Sequence, residues 1–314
     1  MKLVGLMVTR NSDWIIGFSL RAALLWCDSV VVLMHRCNLD TESVIYAAIL
    51  DTDEDKGEFP IGSRGRLINR RVLILEDFSE EWEEMRMRQA MLVKARGLGA
   101  THIALIDDDE VLTADLLSGI RRMVERTSEG QVLMLPWLQL RQNGLKDDMA
   151  ETGVMSSGMW AKAWASLAFK DNPVYHWATR GGYDLHHRHP MGATLQWNIP
   201  FEGRDSGLMH YQFASRRRLI AKQYLYQLTE MKRWPGRRSA ADVREQYSLT
   251  VRESDAAQLS PIPASWIAGY EDLLQYLHIN AEPWQEAECK RLLSENPRLG
   301  DGLNDFGLRR EWGL

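Results

Sequence analysis

The sequence predicts an α/β protein, with a mostly parallel sheet flanked by helices, a less regular second region and a C-terminal helical appendage. Three observations predict it. Over the first 136 residues, short β-branched apolar runs alternate with longer stretches of helical periodicity, the order expected of βαβ units. The runs are continuous rather than alternating, as in Leu3 to Val8, so these strands are covered on both faces. The 314 residues are 45% hydrophobic and 26% charged, ordinary globular usage that excludes disorder, collagen and a bare coiled coil.

Each element follows in order. Leu3 to Val8 is the first strand, and Ser12 or Asp13 can cap a helix running to Leu25. Ser29 to Met34 is the second strand, followed by a helix from about Thr41 to Leu50 and an acidic loop, Asp51 to Glu58. Arg71 to Leu75 is the third strand. Ser79 then caps a helix bearing Trp82, Met85, Leu92 and Val93, which Gly97 and Gly99 can end. His102 to Ile106 is the fourth strand, Thr113 caps a helix carrying Leu116 to Val124, and Val132 to Leu135 is the fifth strand. From Gln139 periodicity is lost until a basic helix, roughly Ser215 to Lys232, that stops near Pro235. Two short amphipathic helices, around Trp266 to Leu277 and Trp284 to Ser294, close the chain. The expected division is residues 1–136, 137–235 and 236–314.

The net charge of −5 gives no global attraction to polyanions, so any such surface must be local. Three cysteines, Cys27, Cys37 and Cys289, do not make a disulfide framework, and a reducing cytoplasm is the expected location. The apolar N-terminus ends too early for a signal peptide, and no run of about 18 apolar residues offers a membrane span.

The strongest chemical signal is Ile103-Ala104-Leu105-Ile106-Asp107-Asp108-Asp109-Glu110. A buried strand runs straight into four acids, which places them at the carboxyl end of a parallel strand, where open α/β sheets bind ligands. Four adjacent carboxylates repel one another unless a cation neutralises them, and hard oxygen donors suit Mn²⁺ or Mg²⁺ bridging to substrate phosphates. The alternative is a solvated acidic cluster that favours the dipole of the next helix.

The first half resembles the nucleotide-sugar-binding part of the family-two glycosyltransferases, which have the Rossmann-like GT-A fold. The resemblance rests on Val8-Thr9-Arg10-Asn11, Asn38-Leu39-Asp40-Thr41, Arg88-Gln89-Ala90 and the Asp-x-Asp-Glu at Asp107 to Glu110. It implies a metal-dependent enzyme moving a sugar from a nucleotide-diphosphate donor to a hydroxyl acceptor, with inversion expected. By that resemblance Asp107 contacts the donor, Asp109 holds the cation, Thr9, Arg10, Asn11 and Asp40 line the nucleoside pocket, and Arg88 faces the donor. It extends more weakly to His210 as a late metal ligand, completing a set of Asp107, Asp109 and His210; imidazole is an acceptable ligand for Mn²⁺. Where relatives place a histidine-glutamate pair, this chain has His186-His187, so the base is open among Asp184, His187 and Glu202. The histidine cluster lacks the cysteines or His-Glu-x-x-His helix of a zinc site.

Arg204 to Arg238 carries nine Lys or Arg against two acids, with Tyr211, Phe213, Tyr224, Tyr226 and Trp234 interleaved. That pattern suits nucleic acid, or equally a solvated helix whose aromatic side packs on a core. The acceptor is therefore open among a polysaccharide, a protein and a hydroxylated DNA base. Two other functions fit the same scaffold. A sugar-nucleotide nucleotidyltransferase needs a glycine-rich phosphate loop, which Thr9 to Asp13 lacks. A non-catalytic nucleic-acid-binding protein would use the basic stretch alone.

Overall fold

The structure, a computed structural model, describes residues 1–51, 66–67, 71–142, 152–177, 188–193, 195–198 and 206–314. In chain order these form β1 (Leu3–Thr9), α1 (Ile16–Leu24), β2 (Ser29–His35), α2 (Leu39–Asp51), β3 (Arg66–Leu67), β4 (Val72–Asp77) and α3 (Glu84–Gly97). Next come β5 (His102–Asp107), β6 (Glu110–Leu112), α4 (Ile120–Glu125), β7 (Gln131–Gln142), β8 (Thr152–Met155), β9 (Trp164–Lys170), β10 (Leu195–Asn198) and β11 (Leu208–His210). The chain ends with α5 (Arg216–Arg233), α6 (Ala240–Ala256), β12 (Leu259–Pro261), α7 (Trp284–Glu295) and α8 (Leu308–Glu311). No described helix is long and apolar enough to cross a membrane.

Two units divide these elements. The first comprises Met1–Trp137, Trp164–Met209 and Pro263–His278; the second comprises Leu138–Ala163, His210–Ile262 and Ile279–Leu314.

The first unit is a mixed α/β layer structure whose central strands are parallel. β1 lies between β2 and β5, β2 pairs in parallel with β4, and β9 and β3 add antiparallel neighbours to β5 and β4. Continuous apolar strands bury both faces. Leu3 and Met7 of β1 meet Ile16 and Leu20 of α1, Ile45 and Ile49 of α2 and Ile120 of α4. Val4, Leu6 and Val8 meet Met85, Met91, Leu92 and Ala95 of α3 on the other side. Helix α1 is buried all round because Pro263–His278 covers its outer side. Phe18 packs edge-on against Tyr270 at 5.7 Å, the Arg21 guanidinium lies 3.7 Å over the Tyr276 ring while pairing with Asp51, and the Tyr270 hydroxyl donates to the Leu112 carbonyl at 2.9 Å.

The second unit has its own core, in which Leu219, Tyr224 and Leu228 of α5 meet Val251 of α6, Leu292 and Leu293 of α7 and Leu308 of α8. Within it β8 pairs antiparallel with the end of β7 and with β12.

Several boundaries differ from the sequence expectation. Ser12 starts the turn before α1 through its carbonyl, which accepts from Ile15 and Ile16, and no side chain caps the helix. Ser79 does not cap α3; its amide donates to Asp77 Oδ1 in a turn, and the helix begins five residues later at Glu84. The helix expected from Thr113 breaks into a 3₁₀ turn, Ala114–Leu116, and the short α4, with Gly119 between them. The stretch from Trp266 to Leu277 is likewise two 3₁₀ pieces, Ala264–Trp266 and Glu271–Tyr276, separated by Gly269 at φ +94°. The long α6 is not expected from the sequence; the Ser239 hydroxyl caps it, accepting from Asp242 N at 3.1 Å.

Candidate active site

The site begins with a topological fact. Strand β1 connects through α1 to β2 on one side, whereas the later strand β5 adds to its other edge, so the direction of winding reverses between β1 and β5. Outside the carboxyl ends of such a pair the flanking loops part and leave a crevice. Val8 of β1 stands opposite Asp107 of β5 in the parallel register, which brings Thr9-Arg10-Asn11 alongside the acidic turn. The sequence places its two main candidate segments there, and the sheet brings them together.

On the β1 side, Thr9 is buried and Arg10 and Asn11 are half-buried. Asn11 takes φ +50°, a left-handed conformation that asparagine tolerates better than most residues. Its Oδ1 accepts from Asn38 N at 2.7 Å, and Asn38 Oδ1 accepts from Thr41 N at 2.9 Å to cap α2. The turns after β1 and β2 are therefore tied, and Asp40 lies exposed in the first turn of α2. Cys37, beside them, donates to the Thr9 carbonyl at 3.5 Å; burial pushes its thiol up to about 12, so it is no nucleophile at neutral pH.

On the β5 side the four acids divide. Glu110 is fully buried and structural: Oε1 accepts from Trp137 Nε1 at 2.7 Å and Arg188 Nη1 at 2.7 Å, and Oε2 accepts from Asp107 N at 2.9 Å and from Arg188 Nη2. Asp107 is gripped by two guanidiniums. Its Oδ1 accepts from Arg88 Nη2 at 2.8 Å and its Oδ2 from Arg188 Nη1 at 2.9 Å. Asp108 and Asp109 form the half-buried turn between β5 and β6.

Both arginines are buried ions. Arg88, only 2% exposed, also donates from Nε to Glu84 Oε1 at 2.7 Å, and its Nη1 finds no hydrogen-bond partner among the described residues. Burial alone would weaken its charge, but Glu84 and then Asp107 outweigh burial and raise its pKa. Arg188 completes its set with the Ser166 carbonyl at 2.8 Å and the Leu105 carbonyl at 3.0 Å. Glu110 and then Asp107 outweigh its burial in the same way. The resemblance has Arg88 facing the donor; the structure places it behind Asp107, where it orients that carboxylate. The sequence does not point to Arg188, Trp137 or Glu84, since nothing in the spacing links them to Asp107.

The expected metal set is Asp107, Asp109 and His210. Among the described residues no three His, Cys, Asp or Glu side chains form a group able to hold a metal. Each Asp107 oxygen accepts from one guanidinium, and His210 is buried with Nδ1 2.6 Å from Gln139 Oε1. Mg²⁺ and Mn²⁺ need only one or two protein carboxylates when phosphates and waters complete the shell. The half-buried Asp109 carboxylate is of the donor type such an ion takes. Asp184, His187 and Glu202 lie outside the described residues.

The basic stretch is largely tied up within the second unit. Arg216 pairs with Asp255, Arg217 with Glu286, Lys232 with Glu295 and Arg238 with Glu230, while Arg218 is buried against the Ala281 carbonyl. Tyr211, Phe213 and Tyr224 are core residues, and Trp234 is flanked by Arg233 and Arg237. Arg204 lies outside the described residues.

No protein-family model matches the chain, and no curated protein matches it. Among solved structures it is similar to S. aureus TarS 1-349, at 11% identity over 100% of this chain and 92% of that one, with a TM-score of 0.42. It is also similar to the mannosyltransferase PcManGT from Pyrobaculum calidifontis, a complex with GDP-Man and Mn²⁺, at 11% identity over 99% and 79% of the two chains and a TM-score of 0.35. A mannose-1-phosphate geranyltransferase from Thermus thermophilus matches at 12% identity over 54% and 58%, with a TM-score of 0.28.

Proposed function

We propose that the chain is an enzyme that transfers a sugar from a nucleotide-diphosphate donor to a hydroxyl acceptor, on a GT-A-type scaffold. The observation that carries this reading is the meeting of the Thr9-Arg10-Asn11 turn and the Asp107-to-Glu110 turn at the switch point of the sheet, through the Val8–Asp107 register. A glycosyl donor presents two chemistries at such a crevice: hydroxyls that need acceptors and a diphosphate that needs cations.

Asp107 supplies the first. Each carboxylate oxygen keeps acceptor capacity beyond its guanidinium, and the two arginines hold the group still, so a donor hydroxyl meets a preorganised partner. Arg10, directly after β1, would meet the diphosphate. Asp109 would hold Mn²⁺ or Mg²⁺, an ion that supplies charge neutralisation to the departing diphosphate. Asp40 and Asn11 border the nucleoside side. The acceptor hydroxyl must lose its proton to a base within hydrogen-bond reach if the sugar inverts, and Asp184 is the first choice, then His187 and Glu202. The acceptor is a polysaccharide, a protein or a hydroxylated DNA base.

A thermal-shift screen of nucleotide sugars with Mn²⁺ and Mg²⁺ tests the reading. A donor at a hundredfold excess over its Kd stabilises the folded chain by about 2.7 kcal/mol. We expect one nucleotide sugar to raise Tm only with metal, and Asp109→Asn to erase that rise. No response to any nucleotide sugar would end the proposal.

A further inference from the structure

The first unit holds a cation of its own at the acidic turn. Arg188 directs all three nitrogens of its guanidinium at five acceptors: the carbonyls of Ser166 and Leu105, Asp107 Oδ2 and both oxygens of Glu110. It is 14% exposed, and Trp137, which also donates to Glu110, lies 5.9 Å from its guanidinium carbon. A planar fork with every donor used is a structural ion, fixed far more firmly than a surface arginine. Arg88 completes the compensation from the α3 side by taking Asp107 Oδ1. Two buried guanidiniums thus face three carboxylates, Glu84, Asp107 and Glu110.

We propose that the counter-ion of Asp107 and Glu110 is the Arg188 guanidinium, that neither carboxylate ligates a divalent metal, and that Arg188 is the positioning residue that shapes the acidic turn for the donor. This rests on the sugar-transfer reading only for the identity of the ligand the turn meets. The charge arrangement stands apart from it. Removing the Arg188 guanidinium takes from the fully buried Glu110 the cation that meets both its oxygens and leaves Asp107 to Arg88 alone, and a divalent ion can replace the lost charge.

The test is Mn²⁺ binding to the full chain, followed through the electron paramagnetic resonance signal of free Mn²⁺, alone and with UDP or GDP. Asp107→Asn keeps an oxygen for a guanidinium, and its Mn²⁺ affinity is expected within about twofold of the wild type. Arg188→Gln is expected to gain one Mn²⁺ site, or about tenfold in affinity, with a Tm rise on adding Mn²⁺ that a chelator reverses. Arg188→Lys keeps the charge and is expected to gain nothing. A merely structural arginine would lower Tm in both variants without creating a metal site. A loss of wild-type Mn²⁺ affinity by tenfold or more in Asp107→Asn would overturn the proposal, as would a folded Arg188→Gln that gains none. If Arg188→Gln does not fold, Asp107→Asn decides alone. A wild type that binds no nucleotide sugar sinks the sugar-transfer reading instead, and the gain in Arg188→Gln remains readable.

Discussion

Arg88 shows how much a single side chain in this site is asked to hold. It is buried between Glu84 and Asp107, so Arg88→Met would leave two carboxylates facing a thioether. Breaking a buried pair by removing one partner costs about 3 kcal/mol or more, and we expect a matching fall in the urea midpoint. On the proposed sugar-transfer reading donor binding weakens with it, because Asp107 loses the guanidinium on one oxygen. His35 provides a pH signature. Burial, and next Arg10, holds its imidazole below the usual histidine range, and its Nε2 lies 3.0 Å from the Ser79 carbonyl. A histidine depressed in the fold binds fewer protons there than when unfolded. Its contribution is therefore complete above the ordinary value of about 6.5 and is lost as pH falls from there through the folded value. His102 is depressed by burial and then Lys170, with the same sign. Urea midpoints should drop between pH 7 and pH 5, and His35→Gln should remove part of that drop; parallel curves for the two proteins would exclude His35.

At the scale of elements, the tightest fit is where Gly207 leads into β11. A Cβ there would stand 2.3 Å from the Pro136 carbonyl oxygen, and Gly207 exchanges hydrogen bonds with Thr113, its amide to Oγ1 at 3.2 Å and its carbonyl to Thr113 N at 2.9 Å. Gly207→Ala must push strands apart, and we expect a loss of about 3 kcal/mol in chemical denaturation. Ser239→Ala removes only an exposed cap and should cost about 1 kcal/mol. These elements differ in how plainly the sequence announces them. β1, β2 and β5 are legible because parallel strands buried on both faces read as unbroken apolar runs, and with them the acidic turn that ends β5. Helix α6 is not, since a mean hydropathy near that of a surface segment hides its few core contacts, Val243 and Val251 among them. The grip of Arg188 on Asp107 is illegible for another reason. The two residues are 81 positions apart, and they meet where the start of β9 lies antiparallel beside the end of β5, Arg188 donating to the carbonyls of both Ser166 and Leu105.

For the molecule as a whole, charge counted along the chain misleads about charge in space. Part of the net +7 of Arg204 to Arg238 is met by Asp255, Glu286 and Glu295, acids from later elements of the chain. At physiological salt we expect duplex DNA to bind no tighter than the non-specific range, a Kd of about 1 µM or weaker, in a fluorescence-anisotropy titration. Nanomolar, salt-sensitive binding would favour a nucleic-acid partner.

The return of Pro263–His278 to the first unit sets a timetable for synthesis. Helix α1 is made early, yet the rings of Tyr270 and Tyr276 that cover it emerge only after α5 and α6 have been translated. A nascent chain halted before residue 263 would carry an oily helix with one side bare and a Leu112 carbonyl lacking its phenol. Late truncations, which spare every residue near the crevice, should therefore cripple expression in cells.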